Sequence, residues 1–230
     1  MLLRVDHLDV HYGRAQVLHD INLTVKEGEL VCLVGRNGAG KTTLLKTIGG
    51  FLKPSQGSIH FREERIDGWP PEKVALKGLR YVFQDKRVFG ELTVRDHLEL
   101  AAFPTKEKVP AAIERLLEIH PKMEKFLDSK AKGLSGGERQ ILLIGRSLIG
   151  DPDLLLIDEP TEGLAAIIIS EIANILRKMK AKISMIVVEQ NLSIVANLAD
   201  RIYVMKEGAI FREIQEEALI KEPALYEKDL

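Results

Sequence analysis

The stretch Leu30-Val31-Cys32-Leu33-Val34-Gly35-Arg36-Asn37-Gly38-Ala39-Gly40-Lys41-Thr42-Thr43 decides the fold. From Gly35 to Thr42 it fits the phosphate-binding pattern G-x-x-x-x-G-K-[ST]. Leu30 to Val34 reads as a fully buried strand, and Lys41 to Ile48 reads as a helix closed by Gly49-Gly50. Strand, loop and helix are the context that the pattern demands. Glycines let the backbone bend until its N–H groups converge on phosphate oxygens, and the helix N-terminus adds its partial positive charge there. Lys41 would reach the β- and γ-phosphates, and the Thr42 hydroxyl would bind Mg²⁺. The plainer alternative, a Gly-rich turn that only caps a helix, requires both flanks to agree by accident.

A second apolar run, Leu154-Leu155-Leu156-Ile157, delivers Asp158-Glu159-Pro160 at its end. In a parallel sheet the C-terminal strand edge is where ligands bind. Asp158 suits a water-mediated hold on Mg²⁺, and Glu159 suits a base or water-orienting group opposite the γ-phosphate. Taken alone, the pair is equally an acidic cap on a strand. A third element, Leu134-Ser135-Gly136-Gly137-Glu138-Arg139-Gln140, opens an apolar helix. Ser135 and Glu138 fit a capping box, and the two glycines leave N–H groups uncovered at the positive end of that helix. One chain therefore carries two phosphate-binding devices.

Around these motifs the predicted elements fall into three groups. Leu3 to Tyr12, Val17-Leu18, Ile21 to Val25 and Glu29 to Val34 read as strands parted by turns, a small antiparallel sheet feeding the central strand. Ser58 to Phe61 returns as a strand, Trp69-Pro70-Pro71 is a rigid loop in which Trp69 serves packing, and a short helix covers Glu72 to Leu76. Leu79 to Phe83 is a strand ending at Gln84. The pattern then turns helical over Thr93 to Ala102, Val109 to His120, Lys122 to Leu127 and Glu138 to Ile149, an inserted helical subdomain. Alternation resumes with strand Leu154 to Ile157, helix Ala166 to Lys180, strand Ser184 to Val188, helix Asn191 to Ala199, strand Ile202 to Met205, a last strand to Glu213 and a polar tail.

The 230 residues suit one large domain with a small insertion. With 33 basic against 34 acidic residues, nothing argues for a nucleic-acid or anionic-membrane surface. The one cysteine, Cys32, sits in the buried strand, which excludes disulfides within the chain and points to a reducing compartment. No apolar run approaches the ~20 residues that span a bilayer. Met1 to Asp6 lacks the form of a signal peptide. A cytosolic protein is expected, and any membrane role needs a partner.

In the order and nature of these motifs the sequence resembles the ATP-binding cassette (ABC) family over essentially its whole length. Lys41 lies in what looks like the Walker A loop, Gln84 matches the Q-loop, Leu134 to Gln140 match the signature, and Asp158-Glu159 match the end of Walker B. The resemblance implies an α/β fold: a P-loop NTPase (RecA-like) core over 1–84 and 151–230, carrying an N-terminal antiparallel β subdomain, with the helical subdomain inserted over 85–150. It implies ATP and Mg²⁺ as ligands, and a head-to-tail dimer in which Ser135, Gly136 and Gly137 of one subunit cover ATP held by the Walker A loop of the other. It places Tyr12 on adenine with Val17 beside it, although both also read as strand packing. It gives Gln84 a contact with Mg²⁺ or the attacking water and a relay to the helical subdomain.

Two departures stand out. All six histidines lie at or before His120, so the family's switch histidine after Ile186-Val187-Val188 is missing and Gln190 stands there. A glutamine amide can donate to a γ-phosphate oxygen but cannot become cationic, so slower hydrolysis is expected with ATP binding kept. Ala165 replaces the aspartate that many members carry after Gly163-Leu164, and it cannot make that cross-subunit contact. Val188-Glu189-Gln190-Asn191, Glu162-Gly163-Leu164 and Arg87 to Val94 look like the ATP-binding subunits of branched-chain amino acid importers and the related urea and short-amide importers. Implied partners are a second ABC ATPase subunit, identical or different, and membrane permease subunits facing Gln84 to Phe103. A periplasmic or extracellular binding protein would act indirectly, and the chain would sit peripherally on the cytoplasmic face of the cell membrane. Two competing classes are a soluble non-transport ABC ATPase and a nucleotide-gated module that barely turns over.

Overall fold

Gly13 and Arg14 turn the chain between two long strands, β1 (Leu3–Tyr12) and β2 (Ala15–Val25), in the computed structural model, which describes residues 1–230. The two short runs expected around His19-Asp20 are one strand. The polar interruption is absorbed as a bulge: Asp20 takes φ 47°, its N–H donates to Asp9 Oδ1 at 2.8 Å, and the register steps from Leu8↔Ile21 to Val10↔Leu18. After β3 (Leu30–Val34) and α1 (Lys41–Ile48), β4 (Gln56–Phe61) returns antiparallel to β1, and β5 (Glu64–Arg65) ends a sheet ordered β2-β1-β4-β5.

Beyond α2 (Pro71–Leu76) and β6 (Leu79–Val82) come α3 (Val94–Ala102), α4 (Val109–Ile119) and α5 (Gly136–Ser147). Thr93 caps α3 with a reciprocal box, Asp96 N–H to Thr93 Oγ1 at 3.1 Å and Thr93 N–H to Asp96 Oδ2 at 2.8 Å. Lys122 to Leu127, expected as an α-helix, is a 3₁₀ segment over Pro121–Phe126. Its turns close from i to i+3, with Met123 N–H on His120 O at 3.0 Å and Leu127 N–H on Glu124 O at 3.2 Å. On Gly145 a Cβ would strike Leu116, so α4 and α5 pack closely there.

The chain then runs through β7 (Leu154–Asp158), α6 (Ala166–Lys180), β8 (Ser184–Val188), α7 (Leu192–Leu198), β9 (Arg201–Lys206), β10 (Ala209–Ile214) and α8 (Glu217–Ile220). The larger sheet is ordered β10-β9-β3-β8-β7-β6 and is parallel except for the β10 edge. β3 pairs on both sides, which explains its unbroken apolar run. Side chains alternate across it: Leu30, Cys32 and Val34 face a core shared with α3 to α7, while Val31 and Leu33 face one shared with α1 and the antiparallel sheet.

The tail is not simply polar. Tyr226 is fully buried with its hydroxyl donating to Ile220 O at 3.2 Å, and Arg212 pairs with Asp229 at 2.7 Å. With Ile220 buried in the same core, these apolar anchors dock an otherwise hydrophilic segment.

Candidate active site

Four parallel strands, β3, β6, β7 and β8, end at one edge, and each delivers chemistry there. The phosphate loop follows β3, Gln84 follows β6, Asp158 and Glu159 close β7, and Glu189-Gln190 follow β8. Sequence alone could name these residues, but only the strand order makes them neighbours.

Gly40 caps α1 at φ 99°, a left-handed conformation, and a Cβ there would lie 2.7 Å from Leu18 Cδ2. No side chain caps α1 and no acidic residue occupies its first turn, so its leading N–H groups are kept for an anion. Lys41 is 4% exposed and folds back on the loop, donating to Gly35 O at 2.7 Å and Arg36 O at 3.0 Å. Burial lowers the pKa of its ammonium, while the nearby Glu159 and Asp158 carboxylates pull it upward. Ala39 and Thr43 are buried, and Val17 lies beside Gly40. Tyr12 stands 48% exposed at the β1–β2 hairpin.

Asp158 Oδ1 accepts from the Thr42 hydroxyl at 3.2 Å, and its Oδ2 accepts from the Tyr81 hydroxyl at 2.8 Å. Burial raises the Asp158 carboxyl above its ordinary 3.8, against the two hydrogen bonds, and burial with the Asp158 charge pushes the Tyr81 phenol up. Glu159 is 7% exposed at φ 45° and is gripped by two amides: Gln84 Nε2 donates to Oε2 at 3.1 Å and Gln190 Nε2 to Oε1 at 2.8 Å. Gln84 Nε2 also donates to Glu162 Oε2 at 2.9 Å, and Gln190 Nε2 to Asn37 Oδ1 at 2.9 Å. Both N–H groups of Gln190 are thus engaged within the chain, one on the phosphate loop and one on Glu159.

The donor set suits Mg²⁺. Thr42 offers a hydroxyl, Asp158 a carboxylate and Gln84 an amide oxygen, all hard ligands, and no cluster of three or more His, Cys, Asp or Glu forms a cage elsewhere. Mg²⁺ is ordinarily held by one or two carboxylates together with substrate phosphates.

Ser135, Gly136 and Gly137 are not brought to the phosphate loop. Ser135 Oγ accepts from Glu138 N–H at 3.3 Å, and Glu138 Oε2 accepts from Ser135 N–H at 2.8 Å, the capping box expected from sequence. On Gly137 a Cβ would lie 2.5 Å from Ile168 Cγ2, so this segment packs against the start of α6. Within one chain, therefore, no hydrogen bond joins the two phosphate-binding devices.

Residues 18–162 match the family model described as ABC transporter. The chain belongs to the ABC transporter family. It is 39% identical over 224 residues, 96% of each protein, to the high-affinity branched-chain amino acid transport ATP-binding protein BraG of Pseudomonas aeruginosa. Among solved structures it resembles a nucleotide-free ATP-binding cassette from an ABC transporter, with TM-score 0.84, 29% identity and coverage of 100% of this chain and 98% of that one. It also resembles a dimeric ATP-binding cassette in a post-hydrolysis state bound to ADP and Pi, with TM-score 0.84, 25% identity and coverage of 93% and 98%. The ABC chain described here is accordingly an ATP-binding ATPase with a P-loop NTPase fold.

Three neighbours escaped the sequence reading of this ABC cassette: Tyr81 on Asp158, Glu162 on Gln84, and the buried pair Thr161–Glu189. A half-buried tyrosine in an apolar strand looks like packing. Glu189 did carry a signal, because a carboxylate directly after the apolar run Met185 to Val188 must find donors.

Proposed function

We propose that this chain is the ATP-hydrolysing subunit of an importer for branched-chain amino acids, working on the cytoplasmic face of the cell membrane. The observation that carries the substrate class is the end-to-end similarity to BraG. In this reading the loop Gly35 to Thr43 holds the phosphates, Lys41 releases its two loop carbonyls to bind them, and Thr42, Asp158 and Gln84 hold Mg²⁺. When bound, that ion supplies charge neutralisation on the phosphate oxygens. Glu159 takes the proton of the attacking water, and Gln190 orients it. Tyr12 and Val17 carry the adenine.

Ser135, Gly136 and Gly137 of a second ATPase subunit complete the site, which explains why they stand apart from the loop in one chain. Residues 85–150 act as a helical subdomain on a core of 1–84 and 151–230. A groove of about 680 Å³ lined by Phe51, Phe83, Val88, Phe89, Leu143 and Ile149 supports docking of permease subunits. No helix of the chain is long and apolar enough to cross a membrane, and in this reading the chain attaches through the permease subunits. A binding protein outside the membrane would deliver the amino acid to the permease.

The test is uptake of radiolabelled leucine in cells lacking this chain, restored by wild type and not by Glu159→Gln. Unchanged leucine uptake with lost urea or amide uptake would overturn the substrate class. Copurification with ribosomes or DNA in place of permease subunits would overturn the transport reading.

A further inference from the structure

We infer that Glu189 is a positioning residue for hydrolysis: its buried carboxylate closes a ring of hydrogen bonds that holds the Gln190 amide against Glu159. The inference rests on the reading of Glu159 as the hydrolytic base.

Glu189 is 3% exposed and accepts from four donors on two loops. Its Oε1 takes the Thr161 hydroxyl at 2.6 Å and the Thr161 N–H at 3.3 Å. Its Oε2 takes the N–H groups of Gln190 at 3.1 Å and Asn191 at 3.2 Å. Thr161 lies two residues after Glu159, and the Gln190 side chain reaches back to Glu159 Oε1 at 2.8 Å. The circuit is therefore closed: Glu159 through Pro160 to Thr161, across to Glu189, along the backbone to Gln190, and through its amide to Glu159 again. Asn191 ties the same loop to α7 by capping it, Oδ1 accepting from Ser193 N–H at 3.1 Å and Ile194 N–H at 3.4 Å.

A carboxylate is the group such a position needs. Four N–H and O–H donors converge with no acceptor of their own, and an ionised carboxyl has about four acceptor sites. An amide could satisfy only part of the set. Burying a charge is unfavourable unless hydrogen bonds compensate for it, and here they fix the spacing of the two loops that carry the base and its amide partner. Glu159 itself sits at φ 45°, a backbone state that a glutamate holds only when its surroundings over-determine it. With one N–H of Gln190 on Asn37 Oδ1 at 2.9 Å, the ring also transmits the position of the phosphate loop to Glu159.

The test uses the full chain with Glu189→Gln, Thr161→Val, Thr161→Ser and Gln190→Ala. Displacing a base by a fraction of its working distance costs on the order of 10- to 100-fold in turnover, and this is the fall expected in kcat for Glu189→Gln, with the ATP Kd held within about twofold. Thr161→Val should fall in the same direction and Thr161→Ser should keep wild-type turnover. Glu189→Gln combined with Gln190→Ala should be no slower than the slower single variant, since both break one circuit.

Without any nucleotide, hydrogen exchange of the Thr161, Gln190 and Asn191 amides should accelerate in Glu189→Gln, while Thr161→Ser leaves it unchanged. Additive losses in the double variant, unaltered exchange, or a Kd that weakens in step with kcat would each overturn the inference. If Glu189→Gln does not fold, the Thr161→Val and Thr161→Ser pair decides the matter by the same readouts. A chain that hydrolyses no ATP would defeat the hydrolytic reading, whereas the exchange measurement judges the ring independently.

Discussion

Gln190 offers the sharpest perturbation, because its one amide nitrogen serves two masters. It donates to Glu159 Oε1 at 2.8 Å and to Asn37 Oδ1 at 2.9 Å. The orientation is forced, since a carboxylate only accepts and the reversed amide would set oxygen against oxygen. Gln190→Ala removes both bonds. A hydrogen bond to a charged group contributes ~1.5–3 kcal/mol, so if the Glu159 bond acts in the transition state the loss in kcat is about 10- to 150-fold.

Gln190→His behaves differently. A neutral imidazole donates one N–H and can keep the Glu159 bond while releasing Asn37. A protonated one donates two and adds opposite charge beside the carboxylate, which raises the imidazole pKa. Whatever the added charge contributes is present below that pKa and lost as pH rises through it. Steady-state ATPase between pH 6 and 9, with ATP Kd measured in parallel, should show turnover in the histidine variant at or above wild type, with a falling alkaline limb that wild type lacks. Abolished turnover at unchanged Kd would refute the reasoning and give the glutamine a role that no histidine can fill.

Three further outcomes follow from the same geometry. Glu159→Gln should slow hydrolysis ~10²- to 10⁴-fold while nucleotide binding persists, as filter binding and phosphate release will reveal. Tyr81→Phe removes the 2.8 Å bond to Asp158 and should raise the Mg²⁺ concentration for half-maximal ATPase; an unchanged Mg²⁺ titration would speak against Asp158 as the ion's carboxylate. Burial lifts the Glu189 carboxyl above its ordinary 4.5, so between that value and the raised one the folded state holds a proton that the unfolded state has released, and above it the carboxylate is ionised in both. Its contribution is fully present below 4.5 and declines as pH rises toward the raised value, and the difference in Tm between wild type and Glu189→Gln should change with that sign across the window.

The motifs were legible in the chain because each is local. Gly35 to Thr43 needs only its own backbone and two flanks, and the Ser135–Glu138 capping box spans one helical turn. α1 and α6 fall where periodicity placed them. Two misreadings share a cause in long-range packing. His19-Asp20 reads as a gap between two strand runs until β1 supplies Asp9 to receive the bulged N–H, and the tail reads as polar until Tyr226 finds the core. The segment over Pro121–Phe126 looked α-helical because an apolar repeat does not report how its own N-terminus begins.

The sequence by itself therefore determined the family, the phosphate loop, the paired carboxylates and the substitution of glutamine for histidine, since residue identity and short spacing are enough to write them. The tertiary structure alone decided what surrounds Glu159. Gln84, Gln190, Asn37 and the Glu189–Thr161 tie come from strands and loops up to 153 residues apart, brought to one edge by the order β3-β8-β7-β6. Strand order is fixed by the burial of whole faces, a property of the folded sheet that no window of sequence contains.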